Sequence, residues 1–211
     1  MRLFYSPGAC SLVSHIALEE AGADFEAVRV AIPEGAHRRA DYLAVNPRGL
    51  VPALELDGRI YSETIAIVTL VARLHPSSGL LPWDDNLALG RAYERLAYFA
   101  TTVHVVGFRA VFRASRRDLG PPPDAATIAA DRDLLNAYLA ETEALLGLGE
   151  WLLGDRFSAA DAYPLTFLRW ARRQRFDVGP FRHWRAHADR MLRRPAVLRA
   201  IATEGLDPSE F

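Results

Sequence analysis

Between Asn46 and Thr64 the chain reads N-P-R-G-L-V-P-A-L-E-L-D-G-R-I-Y-S-E-T, and this stretch admits few folds. Asn46-Pro47-Arg48-Gly49 is turn chemistry, because proline fixes φ and glycine permits positive φ. Pro52 opens a strand, a position where a missing N–H is tolerated. Ala53 to Leu56 and Arg59 to Tyr61 flank Asp57-Gly58, a strong two-residue hairpin signal. Ser62-Glu63-Thr64 then leads into an apolar run to Leu74 with helical spacing, so its polar residues sit at a helix N-terminus, where free N–H groups favour an anion. A loop with exposed backbone, a Val-Pro bond and an anion-ready helix start outline a small-molecule site.

The flanking sequence places this stretch in an α/β unit. Arg2 to Tyr5 is a short β-type run cut by Ser6-Pro7-Gly8. A helix from Ala9 to Gly22 follows, with Leu12, Ile16, Ala17 and Glu20 at three- and four-residue spacing. Phe25 to Ile32 alternates as a second strand, Pro33 to Ala40 is loop, and Asp41 to Val45 is a short helix. The order is β-α-β-α-β-β-α. Pro76 to Asp85 is rich in Pro, Gly and Ser, and beyond it no strand pattern survives. Asn86 to Phe112 reads as one long amphipathic helix. Gly120 to Pro123 is a hard break, with Asp124 as cap of a helix reaching about Leu146. Ser158 and Asp161 resemble a capping box before a helix to about Arg173, and a last helix runs from Phe181 to Arg194, stopped by Pro195. Arg169 to Arg175, four arginines around Trp170, reads as a solvated face with one aromatic turned inward. The expected architecture is a thioredoxin-like α/β domain over residues 1–77, a linker over 78–86 and an all-α domain over 87–211.

Charge and composition exclude several functions. A formal charge of −1 over 211 residues gives no electrostatic case for nucleic acid or an anionic membrane. No apolar run approaches the ~20 residues that span a bilayer, and no charged-then-apolar leader precedes the first strand. The single cysteine, Cys10, forbids an internal disulfide and fits a cytoplasmic location. All 25 basic residues are arginine, so Schiff-base chemistry on lysine is excluded. The six histidines are scattered, none at ligand spacing with Cys10, and no metal is expected.

Four segments carry a family resemblance: Tyr5 to Leu12 (Y-S-P-G-A-C-S-L), Asn46 to Leu54 (N-P-R-G-L-V-P-A-L), Ser62 to Ile67 (S-E-T-I-A-I) and Phe157 to Tyr163 (F-S-A-A-D-A-Y). In this order and spacing the chain resembles the cytosolic glutathione S-transferases, most closely the bacterial beta class. Membership implies a homodimer, with glutathione as co-substrate on the thioredoxin-like domain and a small hydrophobic electrophile held by the helical domain. It also implies a cytoplasmic role in detoxification.

The resemblance assigns roles position by position. Val51, just before a cis Pro52, would pair its backbone with the cysteinyl part of glutathione like an added strand, with Leu50 and Pro52 also at the glutathione site. Glu63 and Thr64 would hold the γ-glutamyl end. The glycine carboxylate would fall to the 33–39 loop, where His37, Arg38 or Arg39 can serve. Cys10 stands where the beta class has its cysteine, with Ser11 beside it and Tyr5 as a further thiolate donor. His104 matches a cleft histidine, followed at Val105-Val106-Gly107 by one inserted residue, and Ala97 replaces a helical asparagine. Phe108, Phe112 and Trp170 could line the electrophile pocket or pack in the core.

At Cys10 the physics leaves two reactions open. A helix N-terminus lowers a thiol pKa and can act equally on a bound glutathione thiol. Cys10 could hydrogen-bond the glutathione sulfur, giving conjugation, or form a mixed disulfide with it, giving exchange. A non-catalytic ligand- or protein-binding member of the fold, or a glutathione-dependent isomerase or dehalogenase, are the alternatives.

Overall fold

The computed structural model describes residues 1–116 and 119–211. Strands β1 (Arg2–Tyr5), β2 (Glu26–Arg29), β3 (Ala53–Leu56) and β4 (Arg59–Ser62) form one sheet in the order β2-β1-β3-β4. β1 and β2 are parallel; the other pairs are antiparallel, with Leu3 opposite Leu54 and Phe4 opposite Ala53. Side chains alternate across a strand, so Leu3 and Leu54 face helices α1 (Ser11–Glu20) and α3 (Thr64–Leu74), among buried Leu12, Ile16, Ile67 and Val71. Phe4 and Ala53 point the other way, onto Val30 and Tyr42 beneath the short helix α2 (Ala40–Val45). Both residues of the Asp57-Gly58 turn have positive φ, as a tight hairpin with this twist requires. This is the thioredoxin-like arrangement read from the sequence.

The second strand is shorter than expected, because from Ile32 the chain winds into two 3₁₀ turns, Ile32–Glu34 and Ala36–Arg38. The Pro/Gly-rich connection after α3 is not free of the core: Leu80 and Leu81 are buried, and Ala159 N–H donates to the Leu80 carbonyl.

The rest is helical. α4 (Asn86–Ala97) starts at Asp85, whose carboxylate accepts from the Leu87 and Ala88 N–H groups. The expected single helix to Phe112 is instead three segments: α4, a π-helical stretch Tyr98–Phe108, and α5 (Arg109–Phe112). The turns here are wider than α-helical, as a residue inserted at 105–107 would require, and Arg109 N–H donates to the His104 carbonyl five residues back. α6 (Ala125–Leu146) is capped by Asp124 through Thr127 N–H at 2.7 Å. Ser158 and Asp161 form the expected capping box ahead of α7 (Ala162–Arg173). After α8 (Arg182–Met191), Pro195 does not end the helical region. It is the first residue of α9 (Pro195–Thr203), where its missing N–H costs nothing. α9 and α7 both pack against α1, and α7 also packs against α8, which seats the helical part on the sheet domain.

Candidate functional site

The site begins in the loop from Ser6 to Cys10, between β1 and α1. Ser11, fully buried at the start of α1, accepts from Ser6 N–H at 3.1 Å and donates to the Ser6 carbonyl at 3.3 Å. The loop is thereby closed on itself, and Cys10 lands at the N-cap position of α1, partly exposed. Its thiol donates to the Val51 carbonyl at 3.5 Å. Helix-start N–H groups at Cys10 and Ser11 pull its pKa down, but burial is the larger effect and pushes it up to about 12. Of the two roles left open at Cys10, hydrogen-bond donor or thiolate, this direction favours the donor.

Opposite Cys10, the peptide Val51-Pro52 is cis. Tyr42 OH (2.6 Å) and Asn46 Nδ2 (2.7 Å) both donate to the Leu50 carbonyl, so the segment before Pro52 is fixed by buried side chains. Gly49 has φ +61°, and a Cβ there would meet the His37 carbonyl at 2.7 Å. Glu63 caps α3 with φ +71°, a conformation sparsely used outside glycine, and Arg48 reaches Ser62 Oγ at 2.9 Å and Glu63 at 3.4 Å. Thr64 is buried at the start of α3. Between Arg48, Ser62, Glu63, Thr64, Val51 and Cys10 lies a small cavity of about 60 Å³.

A second, open cavity of about 750 Å³ starts at the same Cys10, Leu50 and Val51 and runs between the two domains. His37 and Arg38 line one wall, from the 3₁₀ turns; His104, Phe112 and Trp170 line the other. The His104 ring lies 5.0 Å from that of Trp170, and Phe112 meets Trp170 edge-on at 5.3 Å. Burial, and then the Arg109 and Arg116 guanidiniums, lower the His104 pKa to about 4, so the ring is neutral. Phe108 does not reach this wall; it is fully buried behind it, against Phe167 and Trp170. Tyr5 turns away as well: its hydroxyl donates to the Thr203 carbonyl at 3.2 Å. Ser11 is occupied inside the loop. The structure therefore gathers Cys10, Leu50, Val51, Pro52, Glu63, Thr64, His37, Arg38, His104, Phe112 and Trp170 around two joined cavities, and leaves Tyr5, Ser11 and Phe108 outside them.

One part of the site escaped sequence reasoning. Gly8, with φ +66°, is held from both sides by the helical domain. Its N–H donates to Glu204 Oε2 at 2.7 Å, and its carbonyl accepts from Trp170 Nε1 at 2.7 Å. Glu204 is buried at the end of α9, where burial raises its pKa while bonds from His15 Nδ1 (2.9 Å) and Gly8 N–H oppose the rise. Arg169 is nearly buried rather than solvated, paired with Glu210 at 2.6 Å, and a Cβ on Gly8 would lie 2.1 Å from its Nη1. A buried carboxylate on a C-terminal helix offers no spacing signal toward a glycine at the other end of the chain.

A thioredoxin-like sheet presenting a helix-start thiol beside a cis-proline, with a helical domain closing a cleft over it, defines a two-domain protein of the glutathione-transferase type. Residues 8–74 match the family model "Glutathione S-transferase, N-terminal domain", and residues 99–195 match "Glutathione S-transferase, C-terminal domain". The chain is 38% identical over 208 residues to Glutathione S-transferase GstA of Escherichia coli O157:H7, covering 98% of this chain and 100% of that one. A sphingomonad glutathione S-transferase complexed with glutathione superposes with a TM-score of 0.85 at 37% identity, over 98% of this chain and 100% of the other. The bacterial beta class enzyme of Sphingomonas chungbukensis gives 0.85 at 34% identity, with the same coverage. The chain belongs to the glutathione S-transferase family.

Proposed function

We propose that this chain binds reduced glutathione across Cys10, Val51 and Thr64 and directs its sulfur, as a thiolate, at an electrophile in the inter-domain cleft. The observation that carries the reading is the meeting of the two cavities at Cys10, Leu50 and Val51. An extended tripeptide laid along Val51 reaches the α3 N-terminus with its γ-glutamyl end, where Glu63, Thr64 and Arg48 offer polar partners. Its glycine carboxylate then falls toward His37 and Arg38. Its sulfur sits at Cys10, facing the cleft lined by His104, Phe112 and Trp170.

Because burial keeps Cys10 protonated, its S–H can donate to the glutathione sulfur and stabilise the charge there, as do the N–H groups at the start of α1. A mixed disulfide would need the Cys10 thiolate, which the same burial disfavours, so conjugation is the reading this site supports over exchange. Neutral His104 can accept a hydrogen bond without adding charge to the cleft. Rate enhancement comes from thiolate stabilisation and proximity. Assembly as a homodimer in the cytoplasm belongs to this proposal. Among the described residues, no helix is long and apolar enough to cross a membrane, and no group of three or more His, Cys, Asp or Glu could hold a metal.

Titration with reduced glutathione, following thiolate absorbance against pH, checks the reading. A saturable signal with an apparent pKa well below that of free glutathione is expected in the wild type. Cys10→Ser, which keeps a donor, should retain much of the signal, whereas Cys10→Ala should bind glutathione with its thiol pKa closer to the free value and a rate lower by about 10-fold or more. Absence of binding up to millimolar glutathione would overturn the assignment.

A further inference from the structure

The electrophile cleft is not the purely apolar pocket that the sequence suggests. Five guanidinium side chains reach it, Arg38, Arg109, Arg116, Arg169 and Arg173, and no carboxylate is among its described lining residues. Arg169 is engaged by Glu210 and the Gly8 carbonyl, and Arg38, beside His37, stands at the glycine end of the proposed glutathione pose. Arg109, Arg116 and Arg173 belong to the helical side, around the aromatic wall of His104, Phe112 and Trp170. Arg173 has a long contact to Glu210, at 3.6 Å, and its side chain is more than half exposed.

The backbone explains why these charges face the cleft. With the Arg109 N–H bonded to the His104 carbonyl, residue i+5 rather than i+4 sits above residue i. In a regular helix Phe108 would follow His104 on the same face. The π turns instead send Phe108 into the core and set Arg109 above His104, with Phe112 and Arg116 continuing the stripe at three- and four-residue spacing. Arg109 and Arg116 line the same cavity as the His104 ring. A flat aromatic surface bordered by guanidiniums, with no acid among the described residues lining the cleft, fits a planar ligand bearing an anion.

We infer that the electrophile of this enzyme is an aromatic or conjugated carboxylate, its ring on Phe112 and Trp170 and its acid group held by Arg109 and Arg173. The inference rests on the transferase reading and adds the charge class of the second substrate. Carboxylate recognition by guanidinium is bidentate and directional; in a cleft walled by aromatic rings it is screened less than on an open surface. It therefore orients the reacting carbon relative to the glutathione sulfur as well as binding it.

A matched pair of substrates tests it: 4-chloro-3,5-dinitrobenzoate and its neutral amide, 4-chloro-3,5-dinitrobenzamide. In both, the thiolate sulfur forms a bond to the ring carbon bearing chlorine, and chloride leaves with the electron pair of the C–Cl bond. Each kcat/KM is divided by the uncatalysed rate constant with glutathione, which removes the difference in intrinsic reactivity. The expected result is a preference for the carboxylate of about 10-fold or more, which Arg109→Gln and Arg173→Gln each reduce toward unity and which falls with added salt. A ratio of one with both substrates turned over would overturn the inference and leave the transferase reading standing. A preference untouched by both substitutions but lost in Arg38→Gln would also overturn it, by moving the recognition to the glutathione side. Calorimetry on the two preformed glutathione conjugates gives a readout independent of turnover. Equal affinities refute the inference even if neither substrate reacts, and a failure of glutathione itself to bind refutes the reading beneath it.

Discussion

Replacing Gly8 by alanine is expected to lower kcat/KM by roughly 100-fold, the cost of moving a reacting group by about an ångström. The reason is geometric. Gly8 has φ +66°, where any side chain adds about 1–2 kcal/mol of backbone strain. An added Cβ would lie 2.1 Å from Arg169 Nη1, and that guanidinium is held by Glu210 and cannot swing freely into water. The loop must therefore shift, and it carries Cys10 two residues on. Both hydrogen bonds that anchor the Gly8 peptide, to Glu204 and from Trp170 Nε1, stretch in the same movement. Glu204→Gln should be milder, since an amide oxygen can still accept from Gly8 N–H. The check is steady-state kinetics beside glutathione titration and a thermal melt. A variant that melts near the wild-type temperature with unchanged kcat/KM would show that the clamp has no part in positioning the thiol.

Asp161→Ala is expected to lower stability by about 3–5 kcal/mol, because it strips a buried acceptor from four donors at once. Asp161 Oδ1 accepts from Leu152 N–H (3.0 Å) and His187 Nε2 (3.1 Å); Oδ2 accepts from Ser158 N–H (2.9 Å) and Ser158 Oγ (3.2 Å). The residue ties the start of α7 to the preceding turn and to α8, and neither it nor His187 has any exposed side-chain surface. At roughly 2–4 °C per kcal/mol for a chain of this size, the melting temperature should fall by about 10 °C. Ser158→Ala removes one member of the cap and should cost ~1 kcal/mol. Well below the melting transition, kcat/KM per folded molecule should be close to wild type, because Asp161 lines neither cavity. A melting temperature within about 2 °C of wild type would contradict a structural role for the four bonds.

What the sequence made legible was local. The hairpin at Asp57-Gly58, the cis-proline segment, and the caps at Asp124 and Ser158 all lie within runs whose residues act on near neighbours, as do the residues of the proposed glutathione half of the site. Two failures share a cause in helix phase and continuity. Pro195 reads as a stop, yet proline is equally suited to begin a helix, and only tertiary packing of α9 on α1 distinguishes the two. The insertion at Val105 to Gly107 was visible, but whether it loops out or widens the turn is decided by what the following residues can bury. Phe108 wins the core position, and the arginines beyond it inherit the cleft. Tyr5 and Ser11 flank the loop from Ser6 to Cys10 in sequence and are natural candidates from sequence alone. Once folded, each commits its hydroxyl to backbone, of Thr203 and Ser6, and neither reaches the cavity. In the Arg169 to Arg175 segment Trp170 turns inward and Arg173 and Arg175 stay exposed as expected, and Arg169 alone is buried, by Glu210 and the Gly8 carbonyl.

The double anchoring of Gly8 also bears on how the protein is made. Gly8 leaves the ribosome with the first strand, Trp170 follows 162 residues later and Glu204 196 residues later. A nascent chain can complete the sheet, α1 and α3, and so present Cys10 and the glutathione backbone partners, long before either anchor has been synthesised. Its thiol loop at that stage lacks both of the long-range bonds that anchor Gly8. The fixed geometry of the loop is thus deferred to the last helix, and under the proposed function thiol activation would measure finished synthesis rather than a folded first domain.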